Sequence, residues 1–168
     1  MALISRSMNA IAVSVFLIAG CAGYRGQEEV KYAINETYPA WEAAQVRLEL
    51  SYLTTSFGVR FVEVPSEQAE LKIESYEASD TNRHGYYTGG TDAIHVNFAV
   101  PGITAGQLRH NVGHEVGHWL GLQHNCSDCE NLMSTHDYRY QTGTILSDDV
   151  RAFRTLWPSI PQTYKLKL

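Results

Sequence analysis

Beyond an apolar leader, the chain is a succession of short apolar runs set off by polar breaks, and the spacing of the apolar positions predicts the element each run forms. Residues 30–34 read as a first strand. Pro39 stands where a first helical residue belongs, and Trp41, Ala44, Leu48 and Tyr52 recur at helical spacing until Gly58 ends the run. That spacing predicts a surface helix with one buried face. Residues 59–64 read as a strand, and over residues 71–76 Leu71, Ile73 and Ser75 alternate with Lys72, Glu74 and Tyr76, the pattern of a half-buried strand. A Gly-, Asn- and Tyr-rich stretch, residues 79–91, reads as a loop. Residues 94–98 supply another strand, Pro101-Gly102 turns the chain, and Thr104-Ala105-Gly106-Gln107 is a capping box that starts a second helix.

That second helix carries the chemistry. In His114-Glu115-Val116-Gly117-His118, the two histidines stand one turn apart on one helix face, so both imidazoles reach a single metal ion. Glu115 projects beside them as a general base for a water the metal activates. Gly121 then lets the chain turn in the left-handed conformation, which brings His124 back as a third nitrogen ligand. Three protein ligands leave a fourth position open, the arrangement of a catalytic zinc.

The stretch from His114 to His124 resembles the metzincin metallopeptidase signature, His-Glu-x-x-His-x-x-Gly-x-x-His followed by a Met-turn. Asn131-Leu132-Met133-Ser134 resembles that turn, in which Met133 would lie beneath the zinc ligands, the bland reading being a methionine that merely fills core. Phe57-Gly58-Val59-Arg60-Phe61 after the first helix resembles the matrixin branch, as does Leu146-Ser147-Asp148-Asp149-Val150 opening a last helix that ends near Trp157-Pro158. The resemblance spans residues 30–158 and implies an α+β catalytic domain: a twisted mixed sheet, an active-site helix and a C-terminal helix. It also implies a zinc endopeptidase with His114, His118 and His124 as ligands and Glu115 as base. The chain departs from relatives at Thr135, where two branches carry a ligating tyrosine, at Asn125 after the third histidine, and at Trp119, where a small residue is usual. No cysteine-switch propeptide separates Cys21 from the first strand.

On this reading an extended peptide substrate pairs along the strand at residues 94–98, near Ile94 and Val96, while Tyr138 and Tyr140 either wall the main side-chain pocket or simply pack. The other histidines, His84, His95, His110 and His136, read as surface or loop residues. Matrixins of animals often carry a second zinc and calcium; Asp80, His84, Asp92 and His95 are too sparse to assign either ion.

Composition adds the setting. An apolar run at residues 10–19 is too short to span a bilayer comfortably, so residues 1–20 read as a secretory leader. Its end, Ile18-Ala19-Gly20-Cys21, resembles a bacterial lipobox, which would leave a lipid on Cys21; the alternative is ordinary cleavage after Ala22. Residues 21–29 then form a short tether and residues 30–168 the peptidase domain. Loss of Arg6 with the leader takes the formal charge from −5 to −6, which argues against nucleic acid and leaves membrane attachment to the lipid. The expected product is an exported monomer anchored in the cell envelope of a bacterium. Cys126 and Cys129 form an even pair in an oxidising compartment and read as a disulfide, with a free dithiol or half a second metal site as alternatives. Two rival functions stand beside the endopeptidase: a surface-anchored binding module with a structural zinc, and a zinc hydrolase of a non-peptide amide such as a cell-wall cross-link.

Overall fold

The computed structural model describes residues 23–76, 84–98, 100–125, 131–134, 145 and 147–161. Its elements run β1 (Glu29–Ile34), α1 (Ala40–Phe57), β2 (Arg60–Glu63), a 3-10 turn at Ser66–Gln68, β3 (Leu71–Ser75), β4 (Gly85–Tyr87), β5 (Ala93–Val96), α2 (Ala105–Trp119) and α3 (Ser147–Leu156). One mixed sheet has the order β2-β1-β3-β5-β4, in which β4 alone runs antiparallel. A parallel neighbour requires a crossover, and α1 supplies it between β1 and β2, whereas β4 turns directly into its antiparallel partner β5. The domain is therefore α+β, as expected.

The period-2 pattern decides which sheet face is covered. Val30 and Tyr32 of β1, Leu71 and Ile73 of β3, and Ile94 and Val96 of β5 are all buried in one cluster with the apolar residues of α1, α2 and α3. The intervening Lys31, Lys72, Glu74 and His95 stay partly or fully exposed. Each buried aliphatic side chain contributes about 1.5–3 kcal/mol of transfer free energy, so the register of these strands against the helices is strongly specified.

Four expectations need correction. First, α1 does not bury Trp41, Ala44, Leu48 and Tyr52: Trp41, Leu48 and Tyr52 are 48%, 40% and 51% exposed. The helix instead buries Ala43, Val46, Leu50, Leu53 and Phe57, a stripe that also follows helical spacing and runs on to where Phe57 meets the Phe153 ring at 4.7 Å. Two apolar stripes share this helix, and the longer aliphatic one packs inward. Second, Pro39 is the N-cap residue, so helical structure starts one position later than expected, at Ala40.

Third, the stretch read as a loop over residues 79–91 contains β4, whose three residues are all half-buried and show no alternation for a periodicity argument to find. Fourth, the segment before β1 is no tether. Tyr24 is 1% exposed, its N–H donates to the Trp119 carbonyl at 3.2 Å, and its ring meets Trp119, Phe153 and Trp157 at centroid distances of 5.6, 6.1 and 4.9 Å. An aromatic anchor there could not be read from a polar, glycine-containing stretch. Among the described residues no helix is long and apolar enough to cross a membrane.

Candidate metal centre

The metal helix is built to start and stop where it does. At its head, Thr104 Oγ1 accepts from the Gln107 backbone N–H at 3.2 Å while Gln107 Oε1 accepts from the Thr104 N–H at 2.9 Å, the expected capping box. Its tail closes in a Schellman motif: Leu122 N–H donates to the Gly117 carbonyl and Gly121 N–H to the His118 carbonyl, both at 2.9 Å, with Gly121 at φ 94°. Leu122 then drops into the core at 1% exposure. The carbonyl of Leu120 accepts from Trp157 Nε1 at 2.8 Å, so the turn that redirects the chain toward His124 is also held by the residue just past α3.

The three imidazoles converge. His114 Nδ1–H donates to the Leu132 carbonyl at 2.7 Å and His118 Nδ1–H to the Leu122 carbonyl at 3.0 Å. A carbonyl can only accept, so both protons sit on Nδ1 and both Nε2 atoms present lone pairs. His124 Nε2 lies 3.0 Å from His114 Nε2 and 3.2 Å from His118 Nε2. With His124 in the same tautomer, three lone pairs face one another, an arrangement that a cation between them stabilises. Zn–N bonds of about 2.0–2.1 Å at tetrahedral angles separate nitrogens by roughly 3.3 Å, so the residues present fit one zinc ion. Among the described residues this is the one group of three or more ligating side chains close enough to hold a metal. Burial falls from His114 through half-buried His118 to exposed His124, which leaves the cluster open to solvent on the His124 side.

Glu115 is 6% exposed and lies against the sheet edge. A Cβ added at Gly85 would come within 2.9 Å of Glu115 Cγ and 3.0 Å of Glu115 Oε1, so β4 carries glycine where the carboxylate crosses it. Met133 is 1% exposed and lies directly under the helix: a Cβ on Gly117 would fall 2.5 Å from its Sδ. One turn earlier along α2, Glu49 of α1 is 1% exposed, and burial pushes its carboxyl up to about 8 while the Arg109 guanidinium pulls the other way. Its Oε1 would be 2.6 Å from a Cβ on Gly113, the residue before the first ligand.

Several sequence-based placements do not hold. Ile94 and Val96 are fully buried, and β5 has β3 on one side and β4 on the other, so no substrate can pair with it. Among the described residues the sheet has two edge strands, β2 and β4, and it is β4 that lies beside Glu115. His110 is not a surface residue but 1% exposed, with its ring 6.0 Å from that of His114, and His95 is a strand residue stacked on Tyr86 at 4.5 Å. Cys21, Asp80, Cys126, Cys129, Thr135, His136, Tyr138 and Tyr140 lie outside the described residues. The sequence reading missed Gly85, Glu49 and Asp149. Asp149 accepts from the Leu132 N–H at 3.1 Å; in the sequence it is simply an acid in the first turn of a helix, where the macrodipole already accounts for it.

No protein-family model matches the chain, and no curated protein matches it. Among solved structures, the crystal structure of myroilysin aligns over 83% of this chain and 87% of its own, with a TM-score of 0.62 and 11% identity. A further structure of myroilysin aligns over 60% of this chain and 51% of its own, with a TM-score of 0.48 and 14% identity. The likeness at 11% identity is one of fold: the chain is an α+β domain similar in architecture to myroilysin, with a three-histidine cluster suited to one zinc ion, two of the histidines on α2 and the third just past its end.

Proposed function

We propose that the chain is a zinc-dependent metalloendopeptidase of the metzincin type, on the matrixin-like branch. The observation that carries this reading is the convergence of three Nε2 atoms beside a nearly buried carboxylate, Glu115, at an open sheet edge. His114, His118 and His124 would hold the zinc, which when bound would supply a Lewis acid that lowers the pKa of a water to roughly 7 and polarises a carbonyl. The chain's own residues do the rest. Leu132 and Leu122 carbonyls hold the first two imidazoles in the Nδ1–H tautomer, which keeps their Nε2 atoms available. Glu115 takes the proton of the attacking water and returns it to the leaving amine.

The substrate strand is β4 rather than β5: an extended peptide laid along Gly85–Tyr87 passes close to Glu115, which Gly85 allows to approach. Tyr138 and Tyr140 wall the pocket for the main side chain. The protein is exported as a monomer and carries lipid at Cys21, and Cys126–Cys129 is a disulfide. Since Tyr24 is already core, only residues 21–23 separate that lipid from the fold, about 10 Å at full extension, so the domain works close to a bilayer.

The test is to incubate the purified protein with a diverse peptide library, with and without chelator, and read cleavage by mass spectrometry, alongside Glu115→Gln. Chelator-sensitive cleavage is expected, with Glu115→Gln losing about 10²- to 10⁴-fold in rate while keeping its zinc. No cleavage by the parent, or full activity in Glu115→Gln, sinks the proposal.

A further inference from the structure

His124 is the exposed member of the cluster and lies beyond the end of α2, so neither a helix nor deep burial holds it. The residue after it is tied down instead. Asn125 N–H donates to the Met133 carbonyl at 3.2 Å, Asn125 Nδ2 donates to Asp149 Oδ1 at 3.4 Å, and Asn125 Oδ1 accepts from Asn131 Nδ2 at 2.8 Å. Asp149, fully buried on α3, uses Oδ2 to accept from the Leu132 N–H at 3.1 Å. The Leu132 carbonyl in turn accepts from His114 Nδ1 at 2.7 Å.

One buried carboxylate thus reaches two of the three ligands by short routes: His124 through the side chain of its neighbour, and His114 through a single residue of the Met133 turn. We propose that Asn125 and Asp149 are positioning residues for the metal, a polar clamp that ties the third histidine and the acceptor of the first to α3 and so sets the zinc affinity of the site. The inference rests on the zinc reading above. Its physical basis is that a ligand on an irregular segment must lose conformational freedom when metal binds, unless hydrogen bonds have already ordered it. The clamp orders it in advance, so its loss should appear in metal affinity more than in folding.

The experiment uses zinc alone as the probe, with the full chain, and measures the dissociation constant by competition with a chelator. Asn125→Ala removes the side-chain bonds to Asp149 and Asn131 at an exposed position and is expected to raise the zinc dissociation constant at least about tenfold, in the range typical of groups that orient ligands. The unfolding midpoint of the metal-free protein should hardly move, whereas a merely structural role would lower that midpoint and leave zinc binding by the folded protein unchanged. Asn125→Asp sets two carboxylates face to face and should weaken zinc binding as much. The exchange Asn125→Asp with Asp149→Asn restores a donor opposite an acceptor and keeps an acceptor for Leu132 N–H, so affinity should return to within about threefold of the parent.

An unchanged dissociation constant in Asn125→Ala, or an exchanged variant no tighter than Asn125→Asp alone, overturns the clamp. A parent that binds zinc but cleaves no peptide sinks the peptidase reading and leaves the clamp standing. A parent that takes up no zinc ends both.

Discussion

Replacing Glu49 by glutamine isolates one buried carboxyl group and the pH dependence it imposes on folding. Glu49 lies between α1 and α2 at 1% exposure, and among the described residues its Oε1 has no hydrogen-bond partner. Burial raises its pKa from 4.5 to about 8, with the Arg109 charge opposing the shift. Between those two pH values the unfolded chain has released this proton and the folded chain still holds it. Stability from this group is therefore fully present below pH 4.5 and is lost as pH rises toward 8, by about 1.4 kcal/mol per pH unit. Over the whole window the loss is roughly 4–5 kcal/mol, a large share of a typical domain's stability.

Glutamine keeps the shape and has no proton to lose. Urea unfolding of the metal-free parent and of Glu49→Gln, each at pH 5.5 and pH 7.5, separates this effect from the histidines, whose titration is common to both proteins. Across those two units the parent should lose roughly 2–3 kcal/mol more than the variant. Equal changes in the two proteins would refute the reasoning, because they would mean that Glu49 ionises in the fold at no cost and that the α1–α2 interface admits water.

Four further outcomes follow from the site. Gly85→Ala forces a methyl group against Glu115 and the His95 carbonyl, and should lower peptide cleavage about 10- to 100-fold with zinc content unchanged; parental turnover would show that β4 does not constrain the base. His118→Ala removes one converging Nε2 and should abolish both zinc retention, by metal analysis, and activity. Alkylation and mass measurement of the exported protein should find Cys126 and Cys129 oxidised; two freely alkylated thiols count against the bridge. Labelled fatty acid should enter the parent but not Cys21→Ser, and unchanged membrane association of that variant would remove the anchor from the proposal.

The metal cluster was legible in the sequence because it is a local construction. His114 and His118 are four residues apart on one helix, and the Gly121 turn that returns His124 is closed by backbone hydrogen bonds between residues at most five positions apart, to which Trp157 adds one from outside. The capping box at Thr104 and Gln107 is local in the same sense, and the alternation over β3 survives because its partners cover one face only. Elements of this kind depend on dihedral preference and short-range geometry, which neighbouring residue types carry.

What the tertiary structure decided is everything that depends on a distant partner. Both apolar stripes of α1 satisfy a helical period, and packing against α2, the sheet and Phe153, nearly a hundred residues away, selects the one ending at Phe57. A strand pattern at residues 93–96 says nothing about whether its neighbours number one or two, so β5 passed for an edge while three half-buried residues of β4 took that place. Tyr24 became core because Trp119, Phe153 and Trp157 each pack against its ring, and Asp149 became a support of the turn at Leu132 because α3 packs against it. Periodicity states which residues an element can bury; the long-range packing of the whole chain states which of them it does bury, and against what.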